Sequence, residues 1–279
     1  MKVALHIHTS ASDGAWSAEA VVKGAASGGL DVIAIADHDT TASFSAAEVV
    51  GSEARVQVIP AIEVSSTYHG RSIHILGYFV DPASEVLLNH RVRATKQRDT
   101  RMCEMLNRLN EAGILVTYQD VNAEAGPDRG VLGRPHLAKA LVKAGHATSV
   151  PDAFNSLIGD ESQFFVPTDL LEATEAVQLV LASGGIPVWA HPPRDIFDAL
   201  LPELISSGLR GIEVYRPSHS PKDVTRLEAV CSKEGLLTSG GSDWHTPDSG
   251  RSLGDFFVDA VEIEDLLKIG GIYVTYPDQ

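Results

Sequence analysis

The chain has 279 residues, 44% of them hydrophobic, and a formal net charge of −15, so it can bury a large core but argues against a broad nucleic-acid-binding surface. The apolar start Val3-Ala4-Leu5 meets His6 too soon for a secretory h-region, and no apolar run is long enough to span a bilayer. Two cysteines, Cys103 and Cys231, lie far apart and outside any CxxC spacing, which fits a reducing compartment, the cytoplasm, and points away from thiolate metal ligation.

Short apolar runs rich in β-branched residues alternate with helical stretches along most of the chain, the pattern of βα units around a parallel sheet. Strands are predicted at residues 2–7, 31–36, 56–62, 72–80, 186–190, 211–215 and 236–239. The 31–36 run is apolar after its first residue, as a strand covered on both faces should be. Helices are predicted at 17–27, 172–182, 195–206 and 222–233, with Gly28, Gly184, Gly208 and Gly235 placed where C-terminal caps belong. Residues 85–168 break the rhythm. A long helix with an apolar stripe through Met102, Met105, Leu106 and Leu109 ends at Gly113, and shorter helices follow near 135–144 and 151–158. This segment is expected to be a helical cap inserted between barrel parts 1–84 and 169–279, with a loop near Gly126-Pro127-Asp128. From Glu85 to His146 ten Lys and Arg stand against seven Asp and Glu, and charge alone assigns Arg91, Arg93, Lys96, Arg98, Arg101 and Arg108 to a solvated helix face.

In parallel βα barrels, functional side chains sit at the C-terminal ends of strands. His6, His8 and Asp13 follow the first predicted strand, Asp37-His38-Asp39 the second and Glu63 the third; His191 follows the 186–190 run, and Asp243 and His245 the last. His74 suits a hairpin strand running back toward the same rim. Pairs such as His6/His8 and Asp243/His245 are two residues apart and share one face of an extended chain. Singly, each would be a cap or a satisfied polar group, but six of eleven histidines fall at these places. Nine ligands without thiolates suit Zn²⁺, Mn²⁺ or Fe²⁺ and are too many for one ion, so two or three metals are expected.

The segments His6-Ile7-His8-Thr9-Ser10-Ala11-Ser12-Asp13-Gly14, Ala36-Asp37-His38-Asp39-Thr40, Glu63, His74-Ile75-Leu76-Gly77, Ala190-His191-Pro192 and Gly241-Ser242-Asp243-Trp244-His245 together resemble the PHP (polymerase and histidinol phosphatase) superfamily of metal-dependent phosphoesterases. The resemblance implies a distorted (β/α)7 TIM-like barrel with a trinuclear centre. His6, His8, Glu63 and Asp243 would hold one ion; Glu63 would bridge to a second held by His74 and His191; Asp13, His38 and His245 would hold the third. The ions would be Mn²⁺ first, with Zn²⁺, Fe²⁺ or Mg²⁺ as alternatives. Ala36 departs from the usual Thr, and Asp13 stands where histidinol-phosphatase members carry His. The insertion and Gly133-Arg134-Pro135-His136-Leu137-Ala138 resemble the branch that removes the 3′-phosphate of nucleoside 3′,5′-bisphosphates and trims short 5′-phosphorylated RNA from its 5′ end.

By that resemblance Arg134 and His136 would bind phosphate, with Arg194 and His219 as further candidates; a planar guanidinium suits phosphate through paired hydrogen bonds. A hydroxide bridging the Glu63-linked ions would be the nucleophile, with His38, His191 and His245 holding the ions and Asp37 behind them, orienting a ligand or passing a proton. The expected partners are a small phosphorylated nucleotide or short RNA, with no membrane and no stable protein partner. Three alternatives stay open: a histidinol-phosphatase-like or other small-molecule phosphatase, a metal hydrolase acting on C–N or C–O bonds, which would have little use for Arg134, and a non-catalytic metal- or nucleotide-binding module.

Overall fold

A computed structural model describes residues 1–125, 130–167, 171–247 and 250–274. One sheet runs in the order β8-β7-β6-β4-β3-β2-β1-β9, with β5 against β3. Its strands are β1 (Lys2–Ile7), β2 (Val32–Ile35), β3 (Gln57–Tyr68), β4 (Arg71–Tyr78), β5 (Leu171–Glu172), β6 (Ile186–Trp189), β7 (Gly211–Tyr215), β8 (Leu237–Gly240) and β9 (Val258–Asp259). Neighbours along β1-β2-β3 and β6-β7-β8 are parallel, while β4 is antiparallel to both β3 and β6. That reversal is the hairpin expected for His74, closed by His69-Gly70, both at positive φ, +51° and +79°, as a tight hairpin turn requires.

The helices follow the barrel rhythm: α1 (Ala18–Ser27), α2 (Phe44–Ala54), α7 (Ala173–Ala182), α8 (Phe197–Ser206), α9 (Pro221–Glu234) and α10 (Glu264–Ile269). α1 starts at Ser17, whose hydroxyl accepts from Ala20 N, and α9 at Ser220 with Asp223 in a reciprocal capping box. Alternate strand residues feed separate apolar layers. Val3, Leu5, Val32, Ala34, Ile59, Ala61, Leu76, Tyr78 and Val188 fill the lumen. Ala4, Ile7, Ile33 and Ile35 pack outward on α1 and α2, and Ile62, Val64, Ile73, Ile75, Trp189, Ile212 and Val214 outward on α7 and α8. The parity of β1 breaks once. Its register slips between Ala4 and Ile7, so Ile7 faces out and His6 and His8 fall on the lumen side, an effect of the bulge.

The two ends of the chain meet. His8 N donates to Trp244 O (2.9 Å) and Ala15 N to His245 O (2.7 Å). This crossing leaves no room for a side chain at two places: a Cβ on Gly241 would lie 2.5 Å from His6 N, and one on Gly14 2.4 Å from His8 O. Both signature motifs therefore carry their glycine for the close backbone approach.

Between β4 and β5 stand α3 (Glu85–Glu111), α4 (Tyr118–Glu124), α5 (Arg134–Lys143) and α6 (Val150–Ala153). They share an apolar cluster of their own, including Met102, Met105, Leu109, Val121, Leu137, Leu141 and Phe164. The loop expected at Gly126-Pro127-Asp128 and the boundary at Thr168 lie outside the described residues. α2, α4 and α10 were not expected from the sequence. No helix among the described residues is long and apolar enough to cross a membrane.

Candidate metal centre and its cleft

All nine expected ligands converge on one buried carboxylate. Glu63, fully buried on β3, has Oε1 3.4 Å from His6 Nε2, 3.0 Å from His74 Nδ1 and 3.0 Å from His191 Nε2. Its Oε2 lies 3.2 Å from His8 Nε2 and 3.0 Å from His38 Nδ1. Asp243 Oδ1 lies 3.4 Å from His6 Nε2 and 3.2 Å from His8 Nε2, and Asp13 Oδ1 3.3 Å from His245 Nε2. These atoms fall into three overlapping groups, each within 4.8 Å: His6, His8, Glu63 and Asp243; His38, Glu63 and His74; and His8, Asp13, His38 and His245. His191 joins the second through His74 Nδ1 at 3.2 Å.

Four of the atoms facing one another here lack hydrogen-bond partners: His6 Nε2, His8 Nε2, His38 Nδ1 and Glu63 Oε2 are buried and unsatisfied. Buried polar atoms are rarely left so, and four gathered at one carboxylate fit metal ions. The electrostatics agree. Burial raises the pKa of Asp13, Glu63 and Asp243, but neighbouring imidazoles outweigh it and hold all three well below the ordinary range, so the carboxylates stay charged. Burial lowers His38 to about 3, leaving its lone pairs available, whereas Glu213, Asp243 and Glu63 overcome the same burial at His6 and raise it to about 10. His8 and His245 are raised as well, so the buried carboxylates call for positive charge beside them, as protons or as metal ions that displace those protons. Imidazole and carboxylate donors without thiolate suit Zn²⁺, Mn²⁺ or Fe²⁺.

His191 and Asp243 adopt positive φ (+30° and +56°), as does Asp39 (+57°); strain of this kind gathers at functional sites. Asp37 is fully buried and accepts from Thr9 N (2.7 Å), Thr9 Oγ1 (2.7 Å), Ser12 Oγ (2.7 Å) and Ser43 Oγ (2.6 Å). It therefore braces the loop of His8 and Asp13 from behind. Asp39 accepts from Ser65 N, His90 Nε2 and Arg98 Nη2 (2.8, 2.9 and 2.7 Å), tying α3 to the rim.

A cavity of about 180 Å³ opens above the ligands, lined by Asp13, His38 and His74 on the rim and by Arg98, Arg101 and Arg134 from the inserted helices. Through Ser72, Arg101 and Arg134 it continues into a cleft of about 720 Å³ that reaches His69, Asp160 and Phe165. Arg134 donates to Asp160 Oδ1 (2.5 Å). Arg101 donates through Nε to Val166 O (2.7 Å) and has no ion-pair partner among the described residues; burial, with Arg134 and Arg98 beside it, pushes its pKa down. The solvated-face assignment thus fails for two arginines, because α3 turns Arg98 and Arg101 inward, while Arg108 stays partly exposed, paired with Glu104 (3.1 Å) and donating to Phe165 O (2.8 Å). The other phosphate-binding expectations fall elsewhere. His136 is buried and accepts from Gly133 N at the start of α5 (3.0 Å), Arg194 is exposed and paired with Asp223, and His219 donates to Val214 O (2.7 Å); none lines the cleft. Glu213 on β7 and its partner Arg216 were missed altogether.

The chain matches the PHP domain over residues 4–129. It is 34% identical over 245 residues, 86% of this chain and 93% of the relative, to phosphoribosyl 1,2-cyclic phosphate 1,2-diphosphodiesterase of Eggerthella lenta. The chain belongs to the PHP family. Two further PHP relatives are the 5′-3′ exoribonuclease Rnm of Escherichia coli, 31% identical over 90% of this chain and 87% of the relative, and the 3′,5′-nucleoside bisphosphate phosphatase of Chromobacterium violaceum, 29% identical over 90% of each. In structure it resembles a metal-dependent phosphoesterase assigned in Bifidobacterium adolescentis, with TM-score 0.87, 31% identity and 95% of both chains covered. It also resembles a Chromobacterium violaceum chain described as an amidohydrolase with bound sulfate and no metal, at TM-score 0.84 and 26% identity, covering 93% of this chain and 92% of that one. The chain is a metal-dependent phosphoesterase, and the non-catalytic alternative falls.

Proposed function

We propose that this enzyme removes the 3′-phosphate of nucleoside 3′,5′-bisphosphates and trims short 5′-phosphorylated RNA, in the cytoplasm that its two unpaired cysteines fit. The observation that carries this reading is the single cavity with a carboxylate–imidazole floor and three guanidiniums in its wall. Beneath it, His6, His8, Glu63 and Asp243 would hold one divalent ion, Glu63, His74 and His191 a second, and Asp13, His38 and His245 a third, with Mn²⁺ first among the candidates. Bound divalent ions supply charge neutralisation at the phosphoryl oxygens and a water of lowered pKa.

The chain's own residues do the rest. Residues 85–167 act as a cap subdomain over the rim. Arg101 and Arg134, continuous with the outer cleft, take the phosphate that is not cleaved, and this holds the scissile ester against the ligand floor. Arg98, fixed by Asp39 and by Ser65 Oγ (2.7 Å), presents positive charge beside Asp13 and His38. Asp37 keeps the Thr9–Ser12 turn in place, so that His8 and Asp13 stay aimed at the floor.

A second reading rests on the Eggerthella lenta relative: opening of a ribose 1,2-cyclic phosphate that bears another phosphate. Its substrate would use the same floor and the same arginines. Chromatographic product analysis with Mn²⁺ separates the readings, because trimming RNA frees nucleotides and opening a cyclic phosphate frees no inorganic phosphate. Adenosine 3′,5′-bisphosphate and 5′-phosphorylated oligoribonucleotides are expected to turn over well ahead of phosphoribosyl 1,2-cyclic phosphate and histidinol phosphate. Preferred turnover of the cyclic phosphate would replace the first reading with the second, and turnover of amides alone would contradict both.

A further inference from the structure

Behind the ligand floor lies a buried ion pair that the reaction does not itself require. Glu213, mid-strand in β7, is fully buried. Its Oε1 accepts from His6 Nδ1 (2.8 Å) and its Oε2 from the backbone N–H of His191 (2.8 Å) and from Arg216 Nη1 (2.8 Å). Arg216 Nη2 donates onward to Asp243 Oδ2 (3.2 Å), which leaves Oδ1 facing His6 and His8. One carboxylate–guanidinium pair thus touches three ligands that arrive from the ends of β1, β6 and β8.

The consequences are specific. Donation from His6 Nδ1 leaves Nε2 as the nitrogen that faces the floor and would give up its proton to a bound ion. The bond to the His191 amide holds that residue in the left-handed backbone region, and the bond to Oδ2 does the same for Asp243. The third ligand group is backed differently, by Asp37 through Ser12 Oγ (2.7 Å) and without a guanidinium. Among the described residues, His245 Nδ1 donates only to a backbone carbonyl, Asp243 O (2.9 Å), and Asp13 Oδ1 accepts from Ser12 Oγ (3.3 Å); no buried ion pair stands behind them.

We propose that Glu213 and Arg216 are positioning residues that pre-set His6, His191 and Asp243, so that the ions held there bind tightly while the Asp13, His38 and His245 group holds its ion loosely. The inference rests on the metal-centre reading and not on the identity of the substrate.

The test is a Mn²⁺ titration of chelator-stripped protein, with free Mn²⁺ followed by electron paramagnetic resonance. The native enzyme is expected to show a tight and a weak class of ion. Glu213→Gln offers one acceptor oxygen to three donors, and it should weaken the tight class about 10- to 100-fold while the weak class stays within about 2-fold. Phosphate release by this variant should fall at low Mn²⁺ and recover at saturating Mn²⁺. Leu204→Ala, a cavity in the outer core, should lower Tm yet leave both classes unchanged, which separates positioning from general destabilisation. If Glu213→Gln does not fold, the double variant Glu213→Gln/Arg216→Met, which removes both buried charges together, is read in its place with the same expectation. Native-like titration by either variant, or a single class of ion in the native enzyme, overturns the proposal. Native protein that binds no Mn²⁺ overturns the metal-centre reading with it.

Discussion

At the barrel rim, the groups facing the cavity are carboxylates and imidazoles fixed by strand ends; from the inserted helices the same cavity receives Arg98, Arg101 and Arg134. The rim is built to coordinate in the proposed reading. The insertion presents guanidiniums to it, which clamp in the proposed reading. Separating the two charges on two structural units lets one change without the other, since α3–α6 rest on an apolar cluster apart from the barrel layers. What joins them is a buried ion pair, Asp39 with Arg98 and His90. PHP relatives named for different phosphoesters are what such a division would be expected to produce.

The sharpest way to break this comparison is to remove the rim's shared ligand. Glu63→Gln should cut phosphate release at least about 10³-fold, about 4 kcal/mol of barrel-rim catalysis, for every substrate alike. A loss confined to doubly phosphorylated substrates would show that the rim is not a common floor.

Next in size is the joint between the units. Arg98→Met leaves Asp39 buried without its guanidinium and should cost about 3 kcal/mol of unfolding free energy, measured by urea denaturation at pH 7. The pH dependence has a definite sign. Arg98 and His90 outweigh the burial that would raise the Asp39 pKa and hold it far below the ordinary carboxylate range. The stability it contributes is therefore complete above the unfolded-state value of about 3.9 and is lost as pH falls below it. Arg98→Met should flatten that acid limb, and an unchanged limb would remove Asp39 from the account.

Much of the rim was legible in the sequence because strand periodicity and chemistry coincide there. His6 and His8, or Asp243 and His245, stand two apart after an apolar run, and the ends of barrel strands face one rim. Glu213 was not read, although a signal existed: in Gly211-Ile212-Glu213-Val214-Tyr215 the apolar residues face out onto helices, so a charged residue of the opposite parity points into a covered lumen and must be partnered. The insertion offers no such rule. Arg98 meets Asp39 across 59 residues, and an arginine on a helix looks the same from sequence whether it faces water or a cavity. α2 escaped for a local reason: Ala, Ser and Gly give it little amphipathic contrast, and Ser43, the residue before it, turns its hydroxyl to Asp37 instead of capping the helix.

A smaller effect sharpens the clamp. Arg101→Ala should raise KM for adenosine 3′,5′-bisphosphate about 10- to 100-fold, the worth of one charge-assisted contact, and leave turnover of a simple aryl phosphate within about 2-fold. Equal losses on both would place Arg101 on the scissile phosphate instead. The smallest is a chemical contrast between the units. Cys103 on α3 is exposed, while burial, with Glu228 nearby, pushes the Cys231 thiol up to about 12. At pH 8 only Cys103 should be alkylated in the folded protein, and Cys231 should react only after unfolding.

The most direct measurement is anomalous diffraction from crystals grown with Mn²⁺. Ions within about 2.0–2.3 Å of their ligands are predicted, two at Glu63 with His6, His8 and Asp243 and with His74 and His191, and one at Asp13, His38 and His245. Peaks absent from this floor, or ions bound only at the protein surface while the enzyme hydrolyses phosphate, would contradict the account.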